Sequence, residues 1–167
     1  MISRNFSIDE IDRDIIELIQ ENPNLTHVEI GKKVNRSQPI IGMRIKKLEE
    51  SGILTFQAGV SIKNKDLVSA KVDLKTTNPA EIEKIVENCP YMTTGFRQSG
   101  EFNFSIIMLG FSYKELDRIV NQCFRSNPDV EIVIMNVITK VVNDLVLPFN
   151  LNCNGCKKNC KILQNFE

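Results

Sequence analysis

At 167 residues, with 25% charged and 42% hydrophobic side chains, the chain has the composition of a globular protein with room for one or two small domains. Its 21 basic and 21 acidic residues cancel, so no whole-molecule field draws it to nucleic acid. No apolar run approaches the ~20 residues of a membrane span, and residues 1–4 lack the apolar stretch of a signal peptide. A cytoplasmic protein without membrane association is expected.

Ser7 and Glu10 form an S-x-x-E capping box that opens a helix, with Ile8, Ile11, Ile15, Leu18 and Ile19 as its apolar stripe and Asn22–Pro23 as its stop. Thr26 and Glu29 form a second box, opening a short helix that carries Ile30 and Val34. After a turn at Asn35, Arg36 and Ser37 comes a third helix. Ser37 is its expected cap, Pro39 lies in its first turn, Ile41, Ile45 and Leu48 share one face, and Gly52 ends it. The opposite side carries Gln38, Gly42, Met43 and Lys46. Between Ile30 and Leu48 stand Lys32, Lys33, Arg36, Arg44, Lys46 and Lys47 with no acid, while the first helix is acidic. Such segregation gives a neutral molecule one basic edge, as phosphate contacts require, although a solvated helix face gives the same charges. Three short helices with a tight turn before the last make a helix-turn-helix, and the third helix is expected to enter a DNA major groove.

The run over residues 8–62 resembles the Lrp/AsnC (feast/famine) transcription regulators. The matching residues are Asp9, Asp12, Ile15, Ile30, Val34, Ser37, Ile41, Arg44, Ile45, Leu48, Glu49, Gly52 and Ile53. The resemblance implies a positioning helix over residues 26–35 and a recognition helix over 38–51. It also implies a strand over 54–62 that leads to a second domain and pairs with a partner subunit. On this reading Arg36, Arg44 and Lys47 make phosphate or structural ion-pair contacts, beside Ser37 at the helix start. Gln38, Pro39, Met43 and Lys46 form the base-facing surface, and the Gln38 amide can pair with adenine N6 and N7.

Residues 69–76 alternate apolar and polar through Ala70, Val72 and Leu74, the pattern of a half-buried strand. Asn78 caps a helix with Pro79 in first position and Ile82, Ile85 and Val86 inside. Residues 92–98 and 102–110 read as strands joined at Ser99, Gly100 and Glu101. Ser112 and Glu115 form a further capping box, opening a helix with Leu116, Ile119, Val120, Cys123 and Phe124 on one face, and residues 131–142 close as a strand. The order β-α-β-β-α-β specifies a ferredoxin-like sandwich, so the fold class is α+β. Expected boundaries are 1–54 for the helix-turn-helix domain, 55–68 for a strand linker, 69–147 for the ferredoxin-like domain and 148–167 for a tail. In the resembled family the second domain dimerises and binds an amino acid or related effector near a Gly-x-aromatic-Asp turn. Here that turn reads Gly100, Glu101, Phe102, Asn103, with asparagine in place of the acid, and a plain β-turn accounts for it equally.

The tail departs from the resembled pattern. Cys153, Cys156 and Cys160 stand in a C-x2-C-x3-C cluster beside Lys157, Lys158 and Lys161, which favour thiolates. Zinc with a fourth ligand from elsewhere (His27, Cys89, Cys123, water or another subunit), a [4Fe–4S] cluster with one open iron, and a thiol–disulfide switch all fit this spacing, as does an unligated reduced tail. Cys89 and Cys123 read as core residues, and His27 as an exposed one. The expected protein is a DNA-binding transcription regulator and not an enzyme, a homodimer or higher homo-oligomer modulated by an effector and by its tail. Two alternatives share the architecture: a sirohaem decarboxylase-like enzyme, and a sensing module that does not touch DNA.

Overall fold

A computed structural model describes residues 8–149 and divides the chain into two compact units, with the boundary between Phe56 and Gln57. The first unit contains α1 (Glu10–Glu21), α2 (His27–Lys33) and α3 (Gln38–Glu50). Ile15 and Ile19 from α1, Ile30 from α2, and Ile41, Ile45 and Leu48 from α3 converge with Leu54 on one small core. These are the positions that helical periodicity assigns inward.

The helix ends show which local signals operate. α1 is capped by Asp9, whose carboxylate accepts from Asp12 N at 2.9 Å, while Asp12 returns a carboxylate oxygen to Asp9 N at 3.3 Å. The capping box therefore starts at Asp9, two residues later than the S-x-x-E pattern suggests, because Asp9 and Asp12 satisfy the same orphan donors. Ser7 lies outside the described residues. The Thr26–Glu29 box forms as expected, and Glu29 also accepts from the Thr26 hydroxyl at 2.7 Å. Ser37 occupies the N-cap of α3 but its hydroxyl makes no capping bond, so Pro39 in the first turn and the Ser37 carbonyl define that end. Gly52, at φ 73°, follows α3, and Ile53 N donates to Leu48 O at 3.0 Å, the terminating bond of a left-handed helix stop.

The second unit is built on a four-stranded antiparallel sheet of order β3-β4-β2-β5, formed by β2 (Val68–Thr76), β3 (Met92–Arg97), β4 (Phe104–Gly110) and β5 (Val130–Val137). Helices α4 (Pro79–Asn88) and α5 (Tyr113–Val120), the latter prolonged by a π-helical turn over Asn121–Arg125, cover one face. Val72, Leu74, Ile106 and Met108 meet Ile82 of α4 and Leu116, Ile119 and Phe124 of the α5 segment, all fully buried. This is the β-α-β-β-α-β order read from the sequence. Cys89 is buried in that core and Cys123 packs against it.

The last strand ends at Val137 rather than 142, and the expected strand over 54–62 contracts to β1 (Val60–Ser61). β1 pairs antiparallel with β6 (Val146–Leu147) of the same chain, a strand the sequence pattern did not announce. The resulting two-stranded sheet sets Ile62 and Leu147 over Leu109, covering part of the sheet face that the helices leave open. Among the described residues no helix is long and apolar enough to cross a membrane.

Candidate nucleic-acid interface

The turn between α2 and α3 is tight for a specific reason. Asn35 adopts φ 54°, a left-handed conformation that asparagine tolerates, and lets Arg36 N donate back to Gly31 O at 2.9 Å. The Arg36 carbonyl approaches so closely that a Cβ on Gly31 would lie 2.5 Å from it. Gly31 is thus needed for the helix-turn-helix to close. The sequence reading passed over it, although a glycine inside a helical pattern four residues before a turn was the available signal.

With that turn fixed, α3 lies with its core stripe inward and two flanks held by its neighbours. On one flank Arg44 reaches α1, with Nη1 2.7 Å from Asp9 Oδ2 and 2.7 Å from Asp12 Oδ1. Asp12 is 5% exposed, so its carboxylate depends on this partner. Asp9 is held below the usual carboxylate range, first by the Asp12 backbone N–H and then by Arg44, while the two aspartates hold the Arg44 guanidinium above its ordinary value. Of the two roles the sequence allowed Arg44, phosphate contact or structural ion pair, the geometry shows the second. On the other flank Gly42 faces α2.

The remaining surface of α3 is open. Gln38, Pro39, Lys46 and Lys47 are exposed and Met43 is 66% exposed. Lys46 lies 3.8 Å from Glu50, a solvent-exposed pair too loose to hold either side chain. Arg36 and Ser37 are exposed at the turn, where the Arg36 guanidinium donates to Asn35 O at 2.8 Å. Between the two helices an open hollow of about 370 Å³ is lined by Val28, Gly31, Lys32, Asn35, Arg36, Ser37 and Gln38. Its cationic groups, Lys32 and Arg36, have no acid among the lining residues. A convex helix with a bare outer face beside a basic hollow presents donors and positive charge together, which is what a nucleic-acid duplex engages.

In the second unit, Gly100 and Glu101 are exposed at the β3–β4 turn. Asn103 is otherwise engaged: its amide accepts from Thr76 N at 3.0 Å and donates to Thr76 O at 2.7 Å. Both of its polar atoms extend the β2–β4 ladder by one backbone unit. That explains asparagine here, since aspartate would set a carboxylate against the Thr76 carbonyl. Glu115 likewise departs from the expected box. Ser112 caps Glu115 N at 3.2 Å, but the Glu115 carboxylate accepts from Tyr91 Oη at 2.8 Å and Phe111 N at 3.0 Å. Cys153, Cys156 and Cys160 lie outside the described residues. Among the described residues no group of three or more His, Cys, Asp or Glu side chains is placed to hold a metal.

Comparison with known proteins agrees with this geometry. Residues 8–55 match the winged helix-turn-helix DNA-binding family. An HTH-type transcriptional regulator of Pyrococcus furiosus is 30% identical over 117 residues, spanning 68% of this chain and 79% of its own length. A second such regulator, from Pyrococcus abyssi, is 26% identical over 148 residues, spanning 82% of this chain and 91% of its own. Among solved structures, LrpC of Bacillus subtilis superposes with a TM-score of 0.70 at 23% identity, covering 81% of this chain and 97% of that one. A Neisseria meningitidis transcriptional regulator in complex with L-Met gives 0.74 at 22%, covering 85% and 97%. AsnC of Escherichia coli gives 0.69 at 20%, covering 80% and 93%. The chain therefore belongs to the HTH-type transcriptional regulators and has the Lrp/AsnC fold, and it is a DNA-binding regulator of transcription.

Proposed function

We propose that the protein regulates transcription, without catalysis of its own, by placing α3 in the major groove of operator DNA. Gln38, Pro39, Met43 and Lys46 face the bases, and Arg36, Ser37 and Lys47 face the backbone. The observation that carries this reading is the division of labour on α3. Its apolar stripe and Arg44 are spent within the fold, while the outer face and the hollow beside it remain exposed and basic. Glycine at position 42 leaves few long hydrogen-bonding side chains on this face, so recognition leans on backbone contacts and DNA shape. A salt series tests the placement. Lys47→Ala should weaken binding to a duplex and reduce the slope of log affinity against log salt by about 1. An unchanged slope removes Lys47 from the backbone contacts.

The protein acts in this reading as a homodimer or higher homo-oligomer. Opposite the helices, the open half of the sheet exposes Phe96 of β3 and Ile134 of β5 beside half-buried Ile107, around an Asp73 carboxylate that pairs with Lys71 at 2.9 Å. An apolar rim around a satisfied polar centre suits self-association. The effector, an amino acid or related molecule, would bind near Gly100 and Glu101. The L-Met complex of the Neisseria meningitidis regulator supports that class, and Asn103 would shape the turn rather than hold the ligand. A panel of amino acids that leaves DNA affinity unchanged would dismiss this effector. Cys153, Cys156 and Cys160 would form a zinc or iron–sulfur ligand set or a thiol switch, a reading supported by their spacing and by the lysines beside them.

A further inference from the structure

α3 turns about 100° per residue, so Gln38, Gly42 and Lys46 fall in one stripe along the border between its buried side and its open face. Gln38 and Lys46 are exposed. Between them Gly42 offers no side chain, and the space is not empty. A Cβ built on Gly42 would lie 3.3 Å from His27 Nδ1 and 3.6 Å from His27 Cε1. The imidazole of the first residue of α2 thus lies against the backbone of the recognition helix, where any other residue would carry a methyl or more. His27 is the only histidine of the chain, and it is exposed although it packs here. α2 also brings Val28, Gly31 and Lys32 to the basic hollow whose far wall is Arg36, Ser37 and Gln38. The exposed ring therefore stands beside Gly42 of the groove-facing stripe, on the helix that also carries Lys32 to the hollow.

We propose that His27, seated over Gly42, is a DNA-backbone contact of this protein, donating a ring N–H to a phosphate at the lip of the major groove. The proposal rests on the reading of α3 as the groove helix. It assigns Gly42 a second purpose, since the missing side chain admits the imidazole to the interface. A neutral imidazole has one N–H and suffices as donor, and a phosphate oxygen accepts it without further chemistry.

Because a backbone contact is blind to sequence, a mixed-sequence duplex in low salt is an adequate probe. His27→Ala should weaken binding about three- to tenfold, within the range for losing one hydrogen bond of ordinary net strength. His27→Gln, which keeps an N–H donor, should recover part of the loss. Gly42→Ala should lower affinity while leaving thermal stability equal or higher, because alanine is the better helix former. In a His27→Ala background the same substitution should do nothing further, since there is no ring left to displace. Wild-type affinity in His27→Ala overturns the proposal. So does a Gly42→Ala loss of equal size with and without the imidazole, which would place the DNA itself against Gly42. If the wild-type protein retains no duplex at all, the groove reading of α3 fails, and this inference with it.

Discussion

Arg44 looks at first like one more cation on a basic helix, and its surroundings assign it elsewhere. Its guanidinium lies 2.7 Å from both Asp9 and Asp12, and the Asp12 side chain is nearly buried. Removing the arginine would strand the Asp12 carboxylate, so Arg44→Ala should cost about 1–3 kcal/mol of stability in urea unfolding, and DNA affinity should fall only as far as unfolding removes competent protein. The same cluster has a pH signature. Asp9 has its folded pKa below the ordinary 3.8, so its contribution is complete above that value and is lost as pH falls through the lower folded one. Stability followed against pH should accordingly decline as pH falls through the region below 3.8 where Asp9 protonates, and Arg44→Ala should move that decline upward. Asn103 teaches a related lesson. At a position where the resembled pattern has an acid, its amide is consumed by the two backbone groups of Thr76. The residue type alone could not show whether it faced a ligand or a neighbouring strand.

At the scale of elements, the helix-turn-helix depends on a close approach that has no trace in hydrophobic periodicity. Gly31→Ala would press a methyl against the Arg36 carbonyl, a backbone atom that cannot swing aside. We expect a loss of about 1–3 kcal/mol in denaturant unfolding of the first unit, with the second unit unaffected. Far more of these elements was legible than not. The helices of the second unit follow a period of 3.6 in their apolar residues and β2 a period of 2, whereas β4 and β5 carry consecutive apolar residues and β3 shifts register between Met92 and Thr94, so these three were read from apolar runs between turn signals. Caps were less legible. Ser7 and Asp9 are both competent N-caps by residue type, and the start at Asp9 is the one that gives Arg44 two carboxylates. β1 and β6 were hardest. Two residue pairs give too short a pattern for alternation to register, and their pairing is set by Ile62 and Leu147 covering Leu109. Within the candidate interface, exposure along α3 followed from the sequence, whereas the seat of the imidazole against Gly42 required the angle between two helices.

For the whole molecule, self-association and the tail carry the proposals. Ile134 is 41% exposed on the open face of β5, where a folded monomer gains nothing from it. Ile134→Lys should halve the mass seen by sedimentation velocity while leaving the circular dichroism of the second unit intact, and an unchanged mass would move the interface elsewhere. The thiols predict a separable phenotype. Anaerobically purified protein should contain zinc or an iron–sulfur absorption band that vanishes when Cys153, Cys156 and Cys160 are all replaced by serine. Equal metal content and equal response of DNA binding to oxidant in the triple variant would leave the tail without a sensing role.

The pairing of β1 with β6 has a mechanical consequence. Val60 lies opposite Leu147 and Ser61 opposite Val146, so the chain enters and leaves the second unit side by side. Tension applied between the linker and the residues after Leu147 would meet the Phe149 ring first, packed edge to face on Phe111 with centroids 6.1 Å apart, and would then open the pair one hydrogen bond at a time, peeling rather than shearing it. The ring contact and the two short rungs next to the linker are thus the yielding elements of the second unit.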